Sequence, residues 1–220
     1  MPEGVIFDID GTLVDSVDLH AWAWQAAFRH FGHEVGFDAI RSQIGKGGDQ
    51  LMPVYLDPGE LRRIGQRIEA FRADLFKREC LPRVRGFPGV RALFERVRRE
   101  GLRIALASSA KGEELETYKR IAGIEDLLDA ETSSDDAEKS KPHPDIFAAA
   151  LHRLSLPPAA AVVVGDSPYD AEAAAKLGIP TLGVLCGGFP EPDLRRAGCA
   201  AVYDDPADLL RRFDASLLAG

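Results

Sequence analysis

Val5–Ser16, VIFDIDGTLVDS, is the stretch from which the rest of the chain is read. It opens with an apolar run short enough for a buried parallel strand, and carboxylates appear where that run should end. Asp8 and Asp10 are two positions apart, so in an extended chain both side chains leave the same side of the strand. Gly11 lets the backbone turn sharply, and Thr12 offers a hydroxyl and an N–H within the same turn. In open α/β sheets ligands bind outside the carboxyl ends of the strands, which is where this cluster falls. Two carboxylates with no Lys or Arg beside them repel each other unless a cation or a shared proton intervenes. A lone DxD is more often a solvated acidic turn, so the remaining motifs carry the decision.

The chain has 220 residues, 45% hydrophobic and 28% charged, which suits a globular protein of one domain with a large insertion or of two small domains. Its formal net charge is -8, and no basic stripe interrupts the acidic excess, so nucleic acid is not an expected partner. Cys80, Cys186 and Cys199 make an odd count with no CxxC spacing, which points to reduced thiols rather than a disulfide framework or a zinc site. The first residues, MPEGVIFDID, lack the basic and apolar regions of a signal peptide. No apolar run approaches the roughly 20 residues needed to span a bilayer. The expectation is a cytoplasmic protein with no membrane partner.

Moving outward from Ser16, residues 17–32 carry helix formers with Leu19, Trp22, Ala26, Phe28 and Phe31 at helical spacing. Residues 38–56 predict two short helices around a glycine turn, GKGGD at 45–49. Residues 59–80 predict a long amphipathic helix with Leu61, Ile64, Ile68, Phe71, Leu75 and Phe76 on one side. Three helical patterns without a strand make a helical unit, and Pro82, Gly86, Pro88 and Gly89 punctuate the return. A strand–helix alternation follows: helix 88–100, strand 102–108, helix 111–122, strand 129–133, helix 144–154, strand 161–166, helix 169–177, strand 180–185, strand 200–203 and helix 206–218. Such alternation implies a parallel sheet with helices on both faces.

Four strand ends or the loops after them then carry polar groups: Asp8 and Asp10; Ser108 and Ser109; Lys139 and Lys141; Asp166 and Asp170. Buried strands rarely end in ionisable residues without compensation. In a parallel sheet all four lie on one rim, supplying carboxylates, hydroxyls and lysine for a hard-cation site beside an oxyanion site. Carboxylates without paired Cys or His favour Mg²⁺ over zinc. A metal held by Asp8 and Asp166 would neutralise the cluster, while Lys141, Ser108 and the N–H groups after Asp10, at Gly11 and Thr12, would hold phosphate oxygens. Asp8 could then attack phosphorus, with Asp10 as acid and base.

DIDGTLVDS, ALASS, KSKPHPDIF and VVGDSPYDAEAA, in that order and spacing, resemble the four motifs of the haloacid dehalogenase superfamily. More narrowly, the chain is similar to its phosphatase and phosphomutase subgroup, whose helical cap is inserted after the first strand. The resemblance covers essentially the whole chain. It implies a Rossmann-like core at 1–14 and 83–220, a parallel sheet with helices on both faces, and an inserted α-helical cap domain at 15–82. It also implies that Asp8 is the phosphorylated nucleophile, Asp10 the general acid/base, Ser108 and Lys141 the phosphate-binding pair, and Asp166 a Mg²⁺ ligand. Asp170 would support the metal shell or Lys141, and the backbone carbonyl of Asp10 would also meet the metal. An Asp at position 10 argues against dehalogenases, which need no such acid/base.

Other residues have quieter readings beside the functional one. Ser109 is either a phosphate or substrate contact or a helix cap, and Lys139 is expected on the solvent side. His20 matches a histidine that similar phosphomutases place near substrate or the catalytic acid, although a lone helical His is often structural. GKGGD lacks the context of a P-loop and reads as a specificity loop in which Lys46 would meet an anionic leaving group. Trp22 and Trp24 cannot share a helix face, so one is core and the other a peripheral contact. Cys186 is expected to be packing.

The expected activity is Mg²⁺-dependent hydrolysis of a small phosphorylated metabolite, such as phosphoglycolate or a sugar phosphate, by a monomer or homodimer. The alternative is β-phosphoglucomutase-like transfer between sugar hydroxyls, which shares every core motif. A non-catalytic phosphate-binding module would lack the nucleophile or the lysine, and neither is missing. Phosphonate hydrolysis would need a cap lysine for a Schiff base, and only Lys46 and Lys77 are available.

Overall fold

The apolar runs that the sequence marks as strands assemble into one sheet in the computed structural model, which describes residues 1–110 and 112–219. The strands are β1 (Gly4–Phe7), β2 (Val14–Asp15), β3 (Arg85–Gly86), β4 (Arg103–Ala107), β5 (Ala130–Thr132), β6 (Ala161–Gly165), β7 (Thr181–Val184) and β8 (Cys199–Tyr203). Six of them form a parallel sheet in the order β5-β4-β1-β6-β7-β8. The first strand is central: Gly4 pairs with Arg103 on one side and Ala161 on the other.

Side chains alternate across this sheet, as the period of a strand requires. Val5, Phe7, Ile104, Leu106, Val162 and Val164 face one core, while Ile6, Ala105 and Val163 face the other. Both faces must therefore be covered. Four helices come first in the chain, α1 (Val17–His30), α2 (Phe37–Arg41), α3 (Gly48–Leu51) and α4 (Pro58–Leu75), and they stand apart from the sheet. Covering the first face are α5 (Val90–Arg99), α6 (Gly112–Ala122) and α10 (Pro206–Arg211), through Phe94, Tyr118 and Leu209. The second face is covered by α7 (Asp145–Leu154) and α8 (Pro168–Ala175), through Phe147, Leu151 and Ala173. The short helix α9 (Glu191–Ala197) packs Leu194 onto Val202 beside the sheet edge.

The helical insert leaves and rejoins the sheet domain through β2 and β3, which pair antiparallel, Val14 with Gly86 and Asp15 with Arg85. It has an apolar core of its own that includes Trp24, Phe28, Ile40, Leu51, Ile64 and Ile68. Among the described residues no helix is long and apolar enough to cross a membrane.

Several local expectations change. The first helix buries Val17, Ala21, Trp24 and Phe28 rather than Leu19, Trp22 and Ala26, because α1 turns the indole of Trp24 towards α4; Trp22 is 40% exposed. The α-helical hydrogen bonding of α4 ends at Leu75, and Phe76–Cys80 continues as a π-helical turn. The helix expected over 206–218 stops at Arg211, with a 3-10 turn at Phe213–Ala215 closed by the Ser216 hydroxyl donating to the Phe213 carbonyl. The start expected at Lys111 lies outside the described residues. Neither α9 nor the β2–β3 pair was foreseen, both being shorter than a readable periodicity.

Candidate active site

The carboxyl ends of β1, β4 and β6 and the loop before α7 converge on one buried cluster. Asp8 follows β1, Asp166 follows β6, and Asp170 sits in the first turn of α8, where the helix is opened by a reciprocal cap. Oxygen atoms of Asp8, Asp166 and Asp170 lie within 4.8 Å of one another, and all three residues are buried. Lys141 reaches into the same space: its Nζ is 2.5 Å from Asp8 Oδ1 and 2.8 Å from Asp170 Oδ1, and it donates to the Ala107 carbonyl at 3.2 Å. The Thr12 hydroxyl lies 3.4 Å from Asp8 Oδ2 and 3.2 Å from Asp166 Oδ1. Asp170 Oδ2 accepts from the hydroxyl and N–H of Ser167 at 2.7 and 3.1 Å, so both of its oxygens are engaged.

The charges do not balance. Three buried carboxylates share one lysine among the described residues, and for Asp8 and Asp166 burial is the largest influence. It pushes Asp8 up to about 7, with help from Asp170 and Asp10 and against the pull of Lys141. Asp166 rises well above the carboxylate range, through burial and then the charges of Asp170 and Asp8. Lys141 is moved upward because the two carboxylates outweigh its own burial. Such a site asks for a second cation. Its donors are hard oxygens without an imidazole, and the nearby Cys186 thiol donates to the Gly11 carbonyl at 3.1 Å and is held protonated by burial. The residues fit Mg²⁺, with Asp8 and Asp166 best placed to hold it.

Asp10 points elsewhere. Its Oδ1 accepts from the Ser16 hydroxyl at 2.5 Å and lies 2.9 Å from His20 Nε2. His20 in turn lies 3.1 Å from the Tyr118 hydroxyl, which donates to Glu114 at 3.2 Å, and its ring stacks on Phe76 with centroids 3.9 Å apart. Burial would raise Asp10, but His20 and the hydrogen bonds from His20 and Ser16 outweigh it and hold the carboxyl below its usual range. The Asp10 carboxylate is therefore separate from the metal-type trio.

The phosphate-holding role expected of the N–H groups after Asp10 is corrected. Gly11 N–H donates to the Val14 carbonyl at 2.9 Å and Thr12 N–H to the Ile9 carbonyl at 3.1 Å, because the turn closes on itself. Ser108 is buried and its Oγ accepts from the Ala110 N–H at 3.0 Å. Ser109 is exposed and lines the cavity, and Lys139 is exposed with its N–H bonded to Asp145.

A cavity of about 150 Å³ lies between the sheet rim and the insert. Asp8, Asp10, His20, Lys46 and Arg72 are among its walls. Of the three clustered carboxylates only Asp8 opens onto it, among the described residues. The insert meets the sheet domain through Arg41, which donates to the Gly187 carbonyl at 3.1 Å, through the Tyr169 hydroxyl on the Ser42 carbonyl at 2.6 Å, and through the Ser140 N–H on Asp49 at 3.1 Å. The glycine turn permits this approach, since a Cβ on Gly47 would stand 2.1 Å from Ser140 Oγ.

Sequence reasoning missed Ser16, Tyr118, Glu114 and Arg72. Arg72 alone left a signal, a charge four residues after Ile68 and three before Leu75 on an apolar stripe.

Close approach also protects the carboxylate cluster. A Cβ on Gly187 would fall 1.7 Å from Asp166 Oδ2, so Gly187→Ala must displace that carboxylate. We expect the Mg²⁺ concentration that half-saturates the protein, read by titration calorimetry, to rise about 10- to 100-fold. Gly36→Ala, whose Cβ would meet nothing within 4 Å, serves as the control. An unchanged Mg²⁺ response in Gly187→Ala would remove Asp166 from the metal site.

Residues 5–184 match the family model described as haloacid dehalogenase-like hydrolase. A phosphorylated carbohydrates phosphatase of Thermotoga maritima is 30% identical over 210 residues, covering 94% of this chain and 96% of that protein. A phosphoglycolate phosphatase of Synechococcus elongatus is 27% identical over 212 residues, covering 95% and 96%. The crystal structure of a hydrolase from Pseudomonas syringae superposes with a TM-score of 0.87 at 28% identity, covering 96% of this chain and 98% of that one.

Proposed function

Because this chain belongs to the haloacid dehalogenase-like hydrolases and is one of the family's phosphatases, we propose that it hydrolyses small phosphate monoesters with Mg²⁺ through a phosphorylated Asp8. One observation carries the assignment of Asp8: it alone both belongs to the carboxylate trio with Lys141 and faces the cavity. Mg²⁺ held by Asp8 and Asp166 would neutralise the trio and the charge of the phosphoryl group.

An Asp8 oxygen attacks phosphorus and the bond to the ester oxygen breaks; Asp10 must first take up a proton to pass it to the leaving oxygen, while His20 and Ser16 favour the carboxylate form that serves as base in the second half. Lys141 and the Ser108 hydroxyl hold phosphoryl oxygens. In the second half, Asp10 takes a proton from a water that attacks the phosphorus of the aspartyl-phosphate. The acyl phosphate bond breaks, and inorganic phosphate and the Asp8 carboxylate are restored. His20 and Ser16 orient Asp10 towards the cavity side, where a leaving group would lie. The helical insert, residues 15–82, acts as the cap: it excludes water and meets the leaving group. The phosphorylated carbohydrate and phosphoglycolate named for the two relatives are the starting substrate classes.

The test is phosphate release from a panel of monoesters, with product isomers tracked as well as free phosphate. We expect release that a chelator abolishes and Mg²⁺ restores. Isomer formation with little free phosphate would replace hydrolysis by transfer between hydroxyls, and release indifferent to chelation would exclude the metal.

A further inference from the structure

One cationic group faces the cavity without taking part in the chemistry proposed above. Arg72 lies on α4 with its guanidinium over the Trp24 ring, 5.0 Å from the centroid, and 5.9 Å from that of Phe76. Its Nε is buried and has no hydrogen-bond partner among the described residues. A buried N–H without a partner is rare in a folded protein and calls for an explanation. Here the explanation is at hand, because Arg72 lines the same cavity as Asp8 and Asp10.

Besides Asp8, Asp10 and His20, the other charged groups on that wall among the described residues are Lys46, Glu69 and Glu114, and of these only Lys46 is a cation. Lys46 donates to Gln43 at 2.6 Å and its Nζ lies 4.6 Å from the Tyr169 ring centroid, so its charge is already turned aside. Glu114 accepts from Tyr118. Arg72 is the only arginine on the cavity wall among the described residues. A guanidinium over an indole presents a planar fork of N–H donors, which suits bidentate recognition of a carboxylate or phosphate.

We propose that Arg72 is the specificity-determining residue of this site, selecting phosphate monoesters whose leaving group carries a second anionic group, through the juxtaposition of its unpartnered buried Nε with the cavity that Asp8 faces. The inference rests on the phosphatase reading and adds the substrate class. The phosphoryl group meets Asp8 and Lys141 at one end, and the second anion meets Arg72 at the other. A neutral leaving group leaves the guanidinium unpaired when it displaces water from the cavity, and so reacts more slowly.

The experiment compares kcat/KM for three esters built on a two-carbon unit: phosphoglycolate, ethylene glycol monophosphate and ethylene glycol bisphosphate. The first carries a carboxylate, the second a neutral hydroxyl and the third a second phosphate, so the panel also tells which anion is preferred. In the parent protein the better anionic ester is expected to exceed the neutral one by on the order of 10- to 100-fold. In Arg72→Met, which keeps an apolar stem against Trp24, that ratio falls to near one. Arg72→Lys, which keeps the charge and loses the fork, falls between. A merely structural role would lower all three esters alike and leave the ratio intact, and that result overturns the inference. Turnover of all three by the parent protein without preference also overturns it, while leaving the phosphatase reading standing. Failure to release phosphate from any of the three or from p-nitrophenyl phosphate would overturn both together.

Discussion

Asp8→Asn lowers kcat by on the order of 10⁵-fold, about 7 kcal/mol of transition-state stabilisation, while the protein remains folded. The loss is large because an amide cannot form the acyl phosphate, and no second carboxylate of the trio reaches the cavity to take its place. The fold persists because Asn nearly preserves the shape of the side chain and removes one of three mutually repelling buried charges. Lys141 keeps Asp170 at 2.8 Å. The thermal midpoint in the absence of metal is therefore expected to hold steady or rise. Activity and stability measured on the same preparation check the prediction. An inactive protein that has also lost its melting transition would point to a structural collapse instead of a missing nucleophile.

Lys141→Met produces the opposite pattern, with stability and activity falling together. The ammonium is almost fully enclosed and is the one cation between Asp8 and Asp170 among the described residues, at 2.5 and 2.8 Å. Methionine keeps the apolar stem but leaves two buried carboxylates uncompensated. Breaking a buried pair in this way costs about 3–5 kcal/mol. For a chain of this size, with about 2–4 °C of thermal midpoint per kcal/mol, the transition drops by roughly 6–20 °C. Activity falls by on the order of 10²- to 10³-fold as the phosphoryl oxygens lose a donor. Added Mg²⁺ recovers part of the stability, because it binds the folded cluster and adds the positive charge that the substitution removed. A midpoint that does not move would mean that Lys141 is not paired with these carboxylates in solution.

These two variants differ because the sequence motif carries two kinds of information. The identity of Asp8 as a strand-end carboxylate was legible from VIFDID, and so were the strands β1, β4 and β6 that bring the motifs to one rim. Short buried strands announce themselves by apolar runs bounded by turn residues, and a parallel sheet then brings their carboxyl ends to one rim. Where each side chain points was not legible. Lys141 meets Asp8 across 133 positions of sequence, and Thr12 meets Asp166 across 154. Residue types suggested a phosphate grip at Gly11 and Thr12, but the turn spends their N–H groups on its own carbonyls.

The helical insert was legible as helices and misread as faces. Both possible stripes of α1 contain a tryptophan, and only docking against α4 determines that Trp24 is enclosed and Trp22 is not. The same docking turns Arg72 into the cavity, where periodicity alone records an interrupted stripe. The β2–β3 pair joins residues 14–15 to residues 85–86, and strands of two residues each leave no alternation to detect. A helix pattern therefore locates the insert, whereas its leaving-group wall is visible only after packing.

The most direct measurement is to trap the phosphorylated enzyme. The protein, with Mg²⁺ and an ester that it turns over, is quenched during steady state and treated with borohydride, which reduces an acyl phosphate to an alcohol. Peptide mapping should then find homoserine in place of aspartate at position 8, in proportion to turnover, with Asp10, Asp166 and Asp170 unchanged. A peptide that retains aspartate at position 8 while phosphate is being released, or modification at one of the other three carboxylates, would contradict a phosphorylated Asp8.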